Sequence, residues 1–188
     1  MPKEAGGVAF RESVRGCPSD SQWFSHRHSQ PRCQIATVPG IPPNHPSPIA
    51  AVIAIVSLNQ KLLLVRRANA PDAGYWGFPG GKIGFGETTS DAAVRELREE
   101  TGIIAEAESV LTVLDAFDRT DGTIRAHYLL VAMQCRHMRG EAIAADDALD
   151  ARWFTWSEIC DGTLQLSRDV EQVASLVLRT CRSLTGSP

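Results

Sequence analysis

The sequence predicts an α/β protein built on a mixed β-sheet. Two apolar runs joined by a short turn read as adjoining strands, and a capped amphipathic segment reads as a helix. Further strands then interleave with helices toward the C-terminus. The 188 residues suffice for one domain with its own core. A content of 43% hydrophobic and 22% charged residues is the ordinary balance of a globular chain.

Residues 1–47 stand outside this pattern. Eight of the eleven prolines lie at or before Pro48. The stretch ATVPGIPPNHPSP (36–48) cannot sustain a helix or a paired strand, because proline lacks an amide donor and fixes φ. Five basic residues against three acidic ones give this stretch +2, which leaves −5 for the rest of a chain whose net charge is −3. We expect a poorly ordered N-terminal arm over 1–47 and a folded domain over 48–188.

Within that domain, Ile49–Leu58 is rich in Val and Ile and reads as a buried strand. Asn59 and Gln60 make a turn, and Lys61–Arg67 reads as its neighbour. APDAGYWGFPGG (70–81) is a glycine- and proline-rich loop. A helix is expected over 88–101, with Thr88 or Thr89 as N-cap and Gly102 as C-terminal cap. Strands follow at 108–116, 123–134 and 151–155, with helices at 156–161 and 167–183.

Composition excludes several function classes. An acidic balance argues against a broad basic surface for nucleic acid. The longest apolar run, Ile49 to Val56, is far shorter than the roughly 20 residues of a membrane span. The N-terminus has no apolar stretch of the kind a secretory signal needs. The five cysteines are scattered without a CxxC, so a reducing, cytoplasmic setting is expected. Cys17, His26, His28 and Cys33 are zinc-ligand types, but their spacing matches no common zinc module.

The chemistry is concentrated in GKIGFGETTSDAAVRELREETGI (81–103). Taking about 100° per residue, Glu96, Glu99 and Glu100 stand at roughly 0°, −60° and +40° on the helix, so they share one face. Val94, Leu97 and Thr101 lie on the opposite, buried side. Three carboxylates on one face repel one another unless a cation joins them. All-oxygen ligands select hard cations, Mg²⁺ or Mn²⁺. Arg95 sits one turn before Glu99 and can pair with it. Glu87, in the loop ahead of the helix, can reach a metal or a ligand carboxylate. A P-loop around Gly80-Gly81-Lys82 fails, because Trp76 and Ile83 stand where glycine and Ser or Thr are required.

Gly81, Glu87, Arg95-Glu96-Leu97, Glu99-Glu100 and Gly102-Ile103 together match all nine specified positions of the Nudix signature, and the chain resembles the Nudix hydrolase family over about 48–183. The resemblance implies an α/β/α sandwich with a mixed sheet and hydrolysis of a diphosphate linkage by metal-activated water. Glu96, Glu99 and Glu100 would ligate Mg²⁺ or Mn²⁺, with Gly81 and Glu87 beside them. For the base, Glu96 competes with Glu141, Asp146 and Asp147 in GEAIAADDALD; Asp147 is the preferred one outside the helix.

Substrate contacts are expected from Arg66 or Arg67, one of which faces the site because strand side chains alternate, and Arg66 is the choice. Trp76 is the candidate for stacking a base, and His127 for a ligand contact. LDAFDRTDG (114–122) lacks the array of NADH-cleaving members. FDRTDGTIRAHYLLVA is similar to ADP-ribose-pyrophosphatase-like sequences, although Arg119 stands where that subtype has proline. The implied substrate is a small nucleoside diphosphate linked to another moiety. A nucleoside triphosphate pyrophosphatase and a non-catalytic Nudix-fold regulator are the alternatives. Dimerisation is common among such proteins, and a homodimer is compatible with the sequence.

Overall fold

The computed structural model describes residues 46–185, so expectations for the N-terminal arm, including Cys17, His26, His28 and Cys33, lie outside the described residues. Seven strands and three helices follow in the order β1 (Ile49–Leu58), β2 (Lys61–Arg67), β3 (Trp76–Gly77), β4 (Gly80–Lys82), α1 (Thr89–Thr101), β5 (Ile104–Thr120), β6 (Thr123–Arg139), β7 (Ala148–Thr155), α2 (Trp156–Cys160) and α3 (Val170–Thr185). The sheet runs β3-β2-β1-β6-β5, with β4 also on β1 and β7 also on β2. Only β1 and β6 pair in parallel; the other pairings are antiparallel. The sheet is therefore mixed, as expected.

Alternation along the central strands makes two cores. Val52, Ala54, Val56, Leu63, Met133 and Cys135 face one way and pack under Ala92, Ala93 and Leu97 of α1. Ile55, Leu62, Leu64 and Ala132 face the other way, against Ile159 of α2 and Val170, Val173, Ala174 and Val177 of α3. Helices on both faces of one sheet give the α/β/α sandwich. Among the described residues, no helix is long and apolar enough to cross a membrane.

A split between β1 and β2 positions everything that follows. Asn59 and Gln60 both take positive φ, the geometry of a tight hairpin turn. The strands stay paired only at Ser57↔Leu62 and Leu58↔Lys61. Beyond that they diverge, and the glycine-rich segment enters the gap. Within it β3 runs along β2 at Arg66↔Trp76, and β4 runs along β1 at Val52↔Gly81. Gly80 must be glycine, since a Cβ there would collide with the Val52 carbonyl and sit 2.8 Å from Ile53 Cα.

Several element limits differ from the sequence reading. β5 and β6 continue as one antiparallel ribbon of 17 residues each, well past the expected ends. α3 begins at Val170 rather than 167, because Leu166 bridges to Trp76 and Asp169 takes a φ of 69° that no helix allows. β3 and β4 were not expected, being too short and glycine-rich to read as strands.

Leu97 is wholly buried beneath the helix that carries the acidic face. Leu97→Ala should cost about 2–5 kcal/mol of stability. A urea midpoint that moves by less than the equivalent of about 1 kcal/mol would show that α1 is held by something other than this packing.

Candidate active site

α1 is fixed at both ends by local chemistry. Thr88 Oγ1 accepts the Asp91 amide at 3.1 Å, capping the N-terminus. Gly102 takes φ 69° and its amide donates to the Arg98 carbonyl at 2.9 Å, closing the C-terminus. Two more orphan carbonyls of the last turn are met from outside the helix. The Ile143 amide donates to Thr101 O (3.0 Å) and the Ala145 amide to Glu100 O (2.9 Å). Those bonds hold the loop after β6 against α1, and the Ala68 amide ties the Asp147 carbonyl to the end of β2 at 2.9 Å.

The helix presents its three glutamates at three depths. Glu99 is exposed, Glu96 is half-buried, and Glu100 is only 7% exposed. The burial of Glu100 departs from the simple picture of one open acidic face. Ala93 takes part in the core, while Val94 is only half-buried.

Arg95 organises the rest, and all five of its donors are engaged. Nε reaches Glu87 Oε1 at 2.7 Å, and Nη2 reaches Glu87 Oε2 at 3.0 Å and the Lys82 carbonyl at 3.2 Å. Nη1 donates to Glu96 Oε1 at 2.8 Å and Glu99 Oε2 at 3.0 Å. The expected Arg95–Glu99 pair is therefore present. Glu87, however, turns to Arg95 and to the Gly84 amide (2.9 Å) rather than toward the other carboxylates. Its hydrogen bonds to Arg95, helped by that amide, hold its carboxyl down at about 2. Hydrogen bonds to the Glu87, Glu96 and Glu99 carboxylates raise the Arg95 pKa.

Glu100 lies on the other side of this cluster. Burial pushes its carboxyl up to about 7; the Gly80 amide, donating at 3.2 Å, opposes this, as does Arg67, while Glu96 and Asp147 add to it. Gly81 lets Glu96 lie against the backbone, because a Cβ there would overlap Glu96 Oε1.

Glu96, Glu99 and Glu100 share a cavity of about 640 Å³ with Asp146 and Asp147 of the loop pinned to α1. Asp146 is held at φ 50°. Ile53, Leu114, Tyr128, Leu130 and Val173 also line it, so carboxylates and apolar side chains face the same space. The acidic donor set is all oxygen and suits a hard divalent cation. As placed, no group of three or more acidic, histidine or cysteine side chains among the described residues stands close enough to hold a metal ion, Glu96 and Glu99 being drawn to Arg95.

Three expected substrate contacts lie elsewhere. Arg66 is exposed and donates to the Gly74 carbonyl at 3.0 Å, whereas Arg67 lines the cavity. Alternation permits only one of them there, and a register shift between the two on the β2–β7 pairing obscures which from sequence. Trp76 is a core residue, edge-on to Phe154 with ring centroids 4.8 Å apart. His127 bonds Asp115 Oδ1 at 2.7 Å and stacks on Phe117, on the face of β6 that continues toward Met133 and Cys135. Its neighbour Tyr128 has the opposite parity and faces the cavity. Of the loop acids, Asp146 and Asp147 reach the cavity and Glu141 does not line it. Ser167, which no sequence pattern marks, does. It is brought there by the long-range Trp76↔Leu166 bridge.

The profile of the NUDIX domain matches residues 46–177. An ADP-ribose pyrophosphatase of Methanocaldococcus jannaschii is 38% identical over 107 residues, which is 57% of this chain and 62% of that protein. This chain thus spans less than two thirds of that relative's length. The crystal structure of a MutT NUDIX hydrolase from Burkholderia pseudomallei superposes with a TM-score of 0.62 at 27% identity, covering 70% of this chain and 98% of that one. A bifunctional NMN adenylyltransferase/ADP ribose pyrophosphatase from Francisella tularensis, solved with AMP and a manganese ion, gives 0.60 at 28% identity, covering 73% of this chain and 43% of that one.

The raised Glu100 pKa has a stability consequence. Between about pH 4.5 and 7 the folded protein keeps a proton that the unfolded chain has released, so stability falls as pH rises through that window. Glu100→Gln removes this slope. Melting curves in chelator should show wild type losing stability relative to Glu100→Gln from pH 4.5 to 7 and running parallel above; parallel behaviour throughout would contradict the burial of a titrating carboxyl.

Proposed function

The chain belongs to the Nudix family, and on that premise we propose that it is a metal-dependent hydrolase of the diphosphate in a nucleoside diphosphate linked to another moiety, ADP-ribose or a close analogue. The observation that carries this reading is a cavity that Glu96, Glu99, Glu100, Asp146 and Asp147 share with Arg67 and with the apolar side chains of Ile53, Leu114, Leu130 and Val173. Such a mixed lining suits a molecule that joins charged phosphates to an organic group. The kinship to ADP-ribose pyrophosphatases supports the choice of organic group. The catalytic unit is the domain from about residue 48 onward, and the proposed setting is cytoplasmic.

Glu96, Glu99 and Glu100 would hold Mg²⁺ or Mn²⁺, with Glu99 leaving Arg95 for the ion. When bound, the metal would neutralise phosphate oxygens and lower the pKa of the attacking water. Arg95 is a positioning residue, since its donors set the directions of Glu96 and Glu99. Glu87 fixes Arg95 in turn. Asp147 faces the same cavity from the opposite loop and is the proposed acceptor of the water proton, with Glu96 as the alternative within the helix. Arg67, rather than Arg66, supplies fixed positive charge to the substrate phosphates.

A panel of ADP-ribose, NADH, diadenosine polyphosphates, nucleoside triphosphates and oxidised dGTP, assayed with Mg²⁺, tests the reading. ADP-ribose should be the best substrate, and chelator should stop the reaction. Glu99→Gln should lower kcat by about a thousandfold or more while its melting temperature stays near wild type. Preference for triphosphates would point to a nucleoside triphosphate pyrophosphatase. Silence on the entire panel would point to a binding or regulatory module.

A further inference from the structure

Two buried polar atoms, each on a residue that lines the cavity, meet no hydrogen-bond partner among the described residues: Arg67 Nε and Ser167 Oγ. They flank the same small residue: a Cβ built on Gly77 would lie 3.3 Å from Ser167 Oγ and 3.7 Å from Arg67 Cδ. Burying a polar group without a partner costs free energy, and native proteins keep few such groups.

The backbone fixes this arrangement. The Trp76 amide donates to the Gln165 carbonyl at 2.7 Å, and the Ser167 amide donates to the Trp76 carbonyl at 2.8 Å. These bonds set Ser167 beside β3, next to the end of β2 that carries Arg67. Arg67 Nε can only donate, and the serine hydroxyl can donate as well. Two donors against one small space call for an acceptor, and an anionic oxygen is the strongest acceptor for such a pair.

We propose that Ser167 is a substrate-binding residue which, together with Arg67, holds a phosphate oxygen of the substrate. This rests on the diphosphate reading above and deepens it. The same cavity is lined by the acidic carboxylates and by Leu114, Tyr128 and Val173. One phosphate would thus meet the carboxylate-bound metal, and the other would meet Arg67 and Ser167. The organic group carried by the second phosphate would then pack on the apolar lining residues.

The test is Ser167→Ala in the full chain, with ADP and inorganic pyrophosphate as binding probes in the presence of Mn²⁺. Affinity for both should fall by about tenfold, as expected for a lost hydrogen bond to a charged group, while Mn²⁺ affinity alone stays within about twofold. KM for the best panel substrate should rise accordingly. Without ligand the variant should melt at or above the wild-type temperature, because it sheds a buried hydroxyl that has no partner. A structural role predicts the reverse, with lower stability and unchanged affinity, and that result would overturn the proposal. Loss of ADP affinity with pyrophosphate binding intact would place the acceptor on the organic group and overturn the phosphate assignment. Either failure in an enzyme that still hydrolyses the panel leaves the functional reading standing.

Discussion

The concentration of negative charge at the sheet gap is the constraint on which the rest of the site depends, and Arg95 is the interaction that makes it tolerable. Its planar guanidinium spends all five donors on Glu87, Glu96, Glu99 and one carbonyl. Lysine, a point charge with three donors, could not span these acceptors in one plane. Glu87 and its glycine-flanked loop are thereby bound to α1, so the loop geometry and the carboxylate geometry are set together. Glu100 takes none of Arg95's donors; burial, with Glu96 and Asp147 nearby, opposes its charge, and only the Gly80 amide and the more distant Arg67 relieve it.

Backbone proximity supplies the other half of the design. The glycine-rich segment enters between β1 and β2 only because Gly80 carries no side chain toward Val52 and Ile53. Gly81 then leaves room for Glu96. The loop after β6 has no regular structure of its own, yet it is placed by the free carbonyls of α1's last turn. Asp146 and Asp147 reach the cavity through hydrogen bonds that the helix end would otherwise make to water.

Legibility from sequence followed the range of the forces involved. β1 and β2 match the predicted limits, because their apolar runs and turn are local signals. α1 was readable from Thr88, its periodic face and Gly102. The glutamates and Arg95 were readable because helix geometry converts spacing into direction. Arg66 and His127 do not line the cavity, for one shared reason: alternation tells which neighbours oppose each other, but not which face the cavity occupies. Trp76 is buried because an aromatic beside a glycine-rich loop can turn inward, and Phe154 gives it a partner there. Ser167 left no local trace, since only the pairing of residues 165–167 with Trp76 brings it in.

The split between β1 and β2 has one more consequence. The cavity beside it is lined by the glutamates of α1 and by Val173 of α3, helices that pack on opposite core clusters of the sheet. These clusters are separate cores with separate packing. Substitutions along α3 and the inner face of the β5–β6 ribbon can reshape what enters, while the carboxylates stay seated on an undisturbed foundation. The carboxylates and the apolar lining thus belong to different halves of one small sandwich, free to change at different speeds.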